Sequence, residues 1–83
     1  MDNSSVFQRS ALGREKIRDK DLGILPRQAR TLLFLIDSEK TYADYFETFN
    51  NNQVFIEAGG IALLFELLED LQYIEQIIPP AHH

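Results

Sequence analysis

The stretch from Leu25 to Phe49 constrains the fold most strongly, because it joins a clear helix start to the densest apolar pattern in the chain. Pro26 suits the first position of a helix, where its missing N–H is not needed and its fixed φ fits the helical conformation. Apolar residues then recur with the spacing of one helix face: Ala29, Leu32, Leu33 and Ile36. Phe34 and Leu35 widen that face. The pattern therefore predicts a helix that is buried on most sides and ends near residues 37–38.

A second helix is predicted to follow almost at once. Thr41 is a suitable N-cap, and Asp44 stands where an acidic side chain is favoured by the free N–H groups and dipole of a helix start. Aromatic residues then recur at helical spacing: Tyr42, Tyr45, Phe46 and Phe49. Since three residues at most separate the two predicted helices, we expect them to cross at a large angle, as in a helix–turn–helix. We interpret the aromatic series mainly as core packing, with a half-exposed partner groove as the alternative.

The C-terminal part of the sequence predicts a third long helix and a strand. Residues 54–56 are apolar and precede Gly59-Gly60, which favours a short helical turn over a strand, followed by a break. From Ile61 to Leu71, apolar residues lie on one helix face and acidic residues on the outer edge. The segment Tyr73–Ile78 is β-branched and aromatic, and Pro79-Pro80 ends it, so we predict a closing strand.

The N-terminal part predicts a matching strand and a short helix. Residues 6–9 form a short apolar-to-polar segment that is the natural partner of the closing strand. Leu12, Ile17 and Leu22 anchor one or two helical turns in a heavily charged stretch. We expect a single domain over residues 1–83, with an ordered core at about 6–78 and tails at 1–5 and 79–83.

The charge distribution divides the chain into two unequal halves. The net charge is −5, and all eight Lys and Arg residues lie in residues 1–40, which sum to +2, whereas residues 41–83 sum to −7. Such an asymmetry affects which partners approach which face. There is no cysteine, and no apolar run is long enough for a signal core or a membrane span. These features predict a soluble, cytoplasmic protein that does not bind membranes.

The residue types argue against an enzyme and against a metal or cofactor. The two histidines, His82 and His83, follow two prolines at the tail and lack the supporting residues that a metal site needs. Glu66, Glu69 and Asp70 have a spacing that chelation would allow, but a solvated helix face is the better interpretation, since no calcium-binding loop is present. Gly59-Gly60 matches neither the Walker nor the dinucleotide-binding spacing.

Nucleic-acid binding is possible only through the N-terminal half. In a helix–turn–helix the last helix enters the major groove, and here that helix, residues 61–71, carries three acidic residues and no basic one. Phosphate contacts would instead come from the basic residues of the first half: Arg14, Lys16, Arg27 and Arg30. Acidic residues alternate with several of them, which favours a solvated face over a DNA-binding surface.

A family resemblance rests on the motif Leu25…Arg30-x-Leu32-Leu33-x-Leu35-Ile36-Asp37-x-x-x-Thr41. Together with Gly13-Arg14-x-x-Ile17 and the closing segment 64–74, it resembles a small winged-helix-like domain of proteobacterial proteins, over roughly residues 10–78. The resemblance implies a mainly α fold: a three-helix, helix–turn–helix core with short N- and C-terminal strands. The chain departs from the family pattern at Ser38, where Gly is usual, and in having one closing strand where a wing needs two.

A second resemblance concerns residues 52–68, which are similar to part of an armadillo repeat, with Gly-Gly dividing two helices. Armadillo units need neighbours to bury their cores, and the chain holds no second copy, so we place this interpretation below the winged-helix one.

The sequence thus predicts a non-catalytic, winged-helix-like interaction module in bacterial signalling or transcriptional regulation. Its partner would be another protein or a second copy of the chain, bound through aromatic residues expected to be partly exposed: Tyr42, Tyr45, Phe65 and Tyr73. The alternative is a DNA-binding regulator that uses the basic residues of the N-terminal half.

Overall fold

The computed structural model describes residues 3–77. Its elements follow in chain order: β1 (Val6–Arg9), α1 (Ala11–Arg18), α2 (Arg27–Leu35), α3 (Tyr42–Phe49), α4 (Gln53–Glu57), α5 (Ile61–Asp70) and β2 (Ile74–Ile77). The predicted mainly helical fold with a short strand near either end is confirmed for this range. The predicted tail at 79–83, with His82 and His83, lies outside the described residues, as do residues 1–2 and 78.

The two strands pair with each other and join the two ends of the described chain. They run antiparallel, and the register pairs Val6 with Ile77, Phe7 with Gln76, Gln8 with Glu75 and Arg9 with Ile74. The pairing predicted between residues 6–9 and the closing strand is therefore confirmed. On the other edge of β1, Val6 forms an isolated antiparallel bridge with Thr41.

The residues before β1 are held against the start of α3. The Tyr42 N–H donates to the Ser5 carbonyl at 2.7 Å, and the Ala43 N–H donates to the Asn3 carbonyl at 3.0 Å. Ser5 is also buried. The sequence placed residues 1–5 in a tail, and the difference arises because the first turn of α3 offers N–H groups that have no partner inside the helix.

Side-chain caps fix the starts of α1 and α3. The Ser10 hydroxyl accepts from the Gly13 N–H at 2.9 Å and donates to the Gln72 carbonyl at 2.6 Å, so it also ties α1 to the segment before β2. Thr41 forms a reciprocal capping box with Asp44. The predicted N-cap at Thr41 is confirmed, and substitution of such a cap typically costs about 1 kcal/mol.

Helix α2 lies in the core with one face only. Its predicted core residues are all buried: Ala29, Leu32, Leu33 and Ile36. The prediction that Phe34 and Leu35 are buried with them is wrong, because both side chains are largely exposed. Phe34 lies about 140° around the helix from Ala29 at the usual 3.6 residues per turn, so it points away from the buried face.

The link between α2 and α3 is longer than predicted. The chain leaves the helix at Ile36, which has an extended conformation (φ −72°, ψ 119°), and residues 36–41 separate the two helices. Ser38 adopts a left-handed conformation with φ 67°. The length and path of this turn therefore depend on backbone conformations that the residue types between the two helices do not reveal.

The Gly59-Gly60 break divides α4 from α5 as predicted, with both glycines at positive φ (101° and 95°). The short helical turn expected near residues 54–56 is present as α4. Helix α5 packs on α2 and α3. Since those helices come from outside the armadillo-like segment, α5 completes a core shared with the rest of the chain.

Gly13 lets α1 approach the segment before β2. A Cβ built on Gly13 would collide with the Tyr73 carbonyl oxygen, which already accepts from the Ser10 N–H at 3.0 Å. We expect Gly13→Ala to lower the free energy of unfolding by about 1–3 kcal/mol, as overpacking of a close contact does. Urea denaturation followed by circular dichroism measures this.

Gly23→Ala is the matched control, because nothing lies within 4 Å of the position that its Cβ would take. We expect a change of less than about 1 kcal/mol in either direction. Equal losses in the two variants would contradict the role given to Gly13.

Candidate functional site

The four aromatic residues predicted to contact a partner are all buried. Tyr42 is 7% exposed, Tyr45 2%, Phe65 0% and Tyr73 5%. The expectation of partial exposure is therefore wrong. The sequence indicated a helix face for the first three residues and a strand for Tyr73, but not which elements cover them. The rings of β1 and α3 cover Phe65 on α5.

Phe65 is the centre of this aromatic cluster. Its ring lies 5.3 Å from the ring of Phe7, 5.1 Å from that of Tyr42 and 5.5 Å from that of Tyr45, measured between centroids. Tilted and edge-on pairs at such distances stabilise a core beyond their buried area. The cluster thus belongs to the fold and leaves these side chains no surface to offer a partner.

The Tyr45 hydroxyl connects the core to the turn between α2 and α3. It accepts from the Asp37 N–H at 3.2 Å and lies within donating distance of the Leu35 carbonyl and Asp37 Oδ1. Burial raises the pKa of Tyr45, so its proton is retained across the physiological range. This hydroxyl fixes the turn rather than forming part of a binding surface.

Asp37 organises the same turn through its carboxylate. The Lys40 ammonium binds Oδ2 at 2.8 Å, and the N–H groups of Glu39 and Lys40 donate to Oδ1. The hydrogen bond from Lys40, followed by that from the Glu39 N–H, holds the pKa of Asp37 well below its ordinary range. The turn is therefore held by charge-assisted hydrogen bonds, and its two ionisable groups, Asp37 and Lys40, are paired with each other.

The basic residues considered for phosphate contacts do not share one site. Lys16 is paired with Asp21 at 2.8 Å, and that hydrogen bond raises the Lys16 pKa. Arg14 donates to the Arg9 carbonyl at 3.1 Å and lines a small cleft beside β1. Arg30 lines a different cleft, between α1 and α2. Arg27 is exposed at the first residue of α2.

The acidic residues of α5 lie on its outer surface. Glu66, Glu69 and Asp70 are exposed, and so is Leu63 on the same helix. Across residues 3–77, no group of three His, Asp or Glu side chains is placed to hold a metal ion. In this part of the chain no buried side-chain polar atom lacks a hydrogen-bond partner either.

The α1–α2 cleft is the site that the sequence did not identify. Three apolar side chains and two basic ones line it, together with Gly23, around a cavity of about 280 Å³: Ile17, Leu22, Phe34, Lys20 and Arg30. Ile24, next to Gly23, is 76% exposed, and Phe34 is 56% exposed. One feature of the sequence could have indicated this cleft: Phe34 does not share the helical spacing of the buried residues of α2 and therefore lies on another side of the helix.

Two further clefts adjoin the helices. One, of about 120 Å³, is lined by Gln8, Arg9, Arg14, Ile36, Asp37 and Ser38. Arg9, which lines this cleft, donates from Nη1 to the carbonyl of Phe34 at 3.3 Å. The other, of about 450 Å³, lies between α1 and the end of α5 and is lined by Ser10, Ala11, Leu12, Glu69, Gln72, Ile74 and Glu75. Its ionisable groups are carboxylates, whereas those of the α1–α2 cleft are basic, so the two clefts carry opposite charge.

No family model, no curated protein and no solved structure matches the chain. Within residues 3–77, none of the helices combines the length and the apolar character needed to cross a bilayer. The assignment of a function therefore depends on the residues themselves.

The Asp37 turn predicts a specific pH dependence of stability. Because the pKa of Asp37 is lowered in the folded state, its contribution is present above the ordinary aspartate value of about 3.9 and is lost as the pH falls toward the lowered folded value. We expect Asp37→Asn to be less stable than the wild type at pH 7 and the difference to shrink between about pH 5 and pH 2. Thermal denaturation across this range measures it.

Glu66→Gln, on the exposed side of α5, is the control for removing a carboxylate without disturbing the turn. A stability difference of the same size and pH dependence in this variant would contradict the role given to Asp37.

Ser38 provides a second test of the turn. An L side chain at φ 67° costs roughly 1 kcal/mol relative to the right-handed conformation, and glycine avoids that cost. We expect Ser38→Gly to raise the free energy of unfolding by up to about 1 kcal/mol, measured by urea denaturation. Ser10→Gly, at φ −71° and with a capping hydroxyl to lose, should instead lower it. Destabilisation by Ser38→Gly would show that its side chain matters more than its backbone.

Proposed function

We propose that this chain is a non-catalytic, winged-helix-like protein-interaction domain that acts in bacterial signalling or transcriptional regulation. One observation carries the interaction function: large apolar side chains remain on the surface although the core is filled without them. The most exposed are Ile24, Phe34, Val54, Ile56 and Leu63. Phe34 also lines the α1–α2 cleft, and an exposed apolar surface beside a cleft is typical of sites that bind another macromolecule.

The winged-helix-like assignment is supported by the positions of two motif residues. Gly13, in the upstream motif, lies where a Cβ would collide with the Tyr73 carbonyl. Ser38 occupies the position where the family has Gly, and its left-handed backbone is the conformation that glycine adopts most easily. The motif therefore coincides with backbone requirements of this fold.

The strands depart from the usual wing of that family. A wing is a hairpin that follows the last helix of the core, whereas here β2 follows α5 and pairs with β1 from the other end of the described chain. Thr41, just before α3, bridges the opposite edge of β1. In this proposal β1 takes the place of the second wing strand.

DNA binding is the alternative, and the charges on α5 weigh against it. The exposed side of the helix that would enter the major groove carries Glu66, Glu69 and Asp70, which phosphate groups would repel. Arg27 and Arg30 are the observation in its favour, because no carboxylate among residues 3–77 forms an ion pair with either.

An unbiased selection tests the proposed function. We expect the immobilised wild-type protein to enrich related sequences from a random peptide library, and a soluble copy of the enriched peptide to shift amide resonances of surface residues in a saturable manner. The Phe34→Ser, Leu63→Ser double variant should lose enrichment, while Thr48→Ala, a polar surface change on α3, should retain it.

Two outcomes would contradict the proposal. One is the absence of any enriched peptide together with a strictly monomeric protein at high concentration in sedimentation equilibrium. The other is binding to mixed duplex DNA in a gel shift with an affinity that falls steeply as salt increases, which favours the DNA-binding alternative.

A further inference from the structure

We propose that the α1–α2 cleft binds a short acidic peptide segment that inserts one bulky apolar side chain between Ile17, Leu22 and Phe34. This inference rests on the proposed interaction function and assigns it a site and a partner chemistry. It does not involve the aromatic residues that the sequence suggested, all of which lie in the core.

The lining of the cleft suits a single apolar side chain. Leu22 is buried, Ile17 is half-buried and the exposed ring of Phe34 also lines the cavity. The cavity of about 280 Å³ is smaller than the roughly 300–1,000 Å³ usual for small-molecule sites. It has room for one anchoring side chain.

Two unpaired cations give the cleft its charge preference. Neighbouring basic residues are already neutralised, since Lys16 pairs with Asp21 at 2.8 Å and Arg18 pairs with Asp19 at 3.3 Å. Lys20 and Arg30 differ, because no carboxylate of residues 3–77 lies within ion-pairing distance of either. Both line the cavity, so carboxylates flanking an inserted side chain would find cationic partners there.

The backbone of Lys20 supports a binding role. α1 ends in a Schellman motif, in which the Lys20 N–H donates to the Ile17 carbonyl at 3.1 Å and the Asp21 N–H donates to the Lys16 carbonyl at 2.9 Å. Lys20 occupies the left-handed position with φ 57°, where glycine is the residue of lowest cost. This turn places Lys20 directly after α1, and because no carboxylate of residues 3–77 pairs with its ammonium, the ammonium is free to bind an external anion.

A peptide fits this cleft better than a nucleic acid does. Among the described residues, Phe34 is the one aromatic side chain that lines it, and the other apolar groups, Ile17 and Leu22, are aliphatic and offer no stacking surface. The basic surface is also small, and the chain carries a net charge of −5, concentrated in residues 41–83. A long polyanion would meet that repulsion, whereas a short segment need contact only the cleft.

The test uses the whole chain and a defined probe: a short synthetic peptide with acidic residues on both sides of one central Phe. Its affinity for the wild type and the variants is measured by fluorescence anisotropy at two salt concentrations, and its position by amide shift perturbation. We expect saturable binding that weakens with salt and perturbs residues around the cleft. Peptides with central Ser, or with Lys in place of the acidic residues, should bind at least about tenfold more weakly. The loss of one anchoring side chain commonly weakens binding by about this factor.

Lys20→Gly separates binding from folding. It removes the cation and relieves the left-handed strain, so we expect the affinity to fall about two- to fivefold while stability is unchanged or increased. Gln72→Gly is the matched control, because Gln72 occupies the same position after α5, with φ 63°, and lines a different cleft. It should leave the affinity unchanged.

Phe34→Ser should abolish measurable binding, whereas Leu63→Ser on α5 should not.

The outcomes distinguish this inference from the proposed function. Shift perturbation confined to α4 and α5, or equal affinity in wild type and Lys20→Gly, would overturn the assignment of the cleft and leave an interaction domain with another site. Tighter binding of a single-stranded oligonucleotide than of the acidic peptide would overturn the partner chemistry. If no peptide binds and the unbiased selection also fails, both proposals are overturned.

Discussion

The fold depends on the contact of Phe65 with aromatic rings from three directions. Phe7 brings β1 to it, and Tyr42 and Tyr45 bring α3. Each ring pair contributes about 0.5–1.5 kcal/mol beyond its area. The helices are too short to be stable alone in water, so they depend on tertiary packing, and for α3 and α5 this ring cluster provides it. Side chains buried in such a cluster cannot contact a partner, so a binding site must use residues on the helix surfaces.

Local sequence signals predicted most of the elements. The proline before α2, the Thr41 cap and the Gly59-Gly60 break each act within a few residues, so their consequences could be read along the chain. The strand pairing was also predicted, because the chain has apolar, β-prone segments near both ends. The length of the 36–41 turn was not, since it depends on the left-handed backbone of Ser38.

The candidate site was the least predictable part, and the reason is physical. Periodicity shows that Phe65 shares a face with other apolar residues, but its burial depends on β1, far away in sequence. Phe34, in contrast, belongs to an apolar run and yet is exposed. Its exposure is determined by the side of α2 on which it lies and not by its apolar neighbours in the sequence. Charge behaves similarly: Lys16 is neutralised by Asp21, whereas Lys20 has no ion-pair partner among residues 3–77.

The pairing of β1 with β2 has a consequence for the order of folding. All of residues 10–73 lie between the two strands, so joining them closes a very long loop and carries a large entropic cost. That cost is offset only after α2, α3 and α5 have assembled and brought the strands together. The sheet is then the last part of the fold to form, and it completes the core because β1 places the buried Phe7 ring against Phe65. Its backbone amides would therefore exchange with solvent only through an opening that also exposes Phe7 and loosens the contact between β1 and α5.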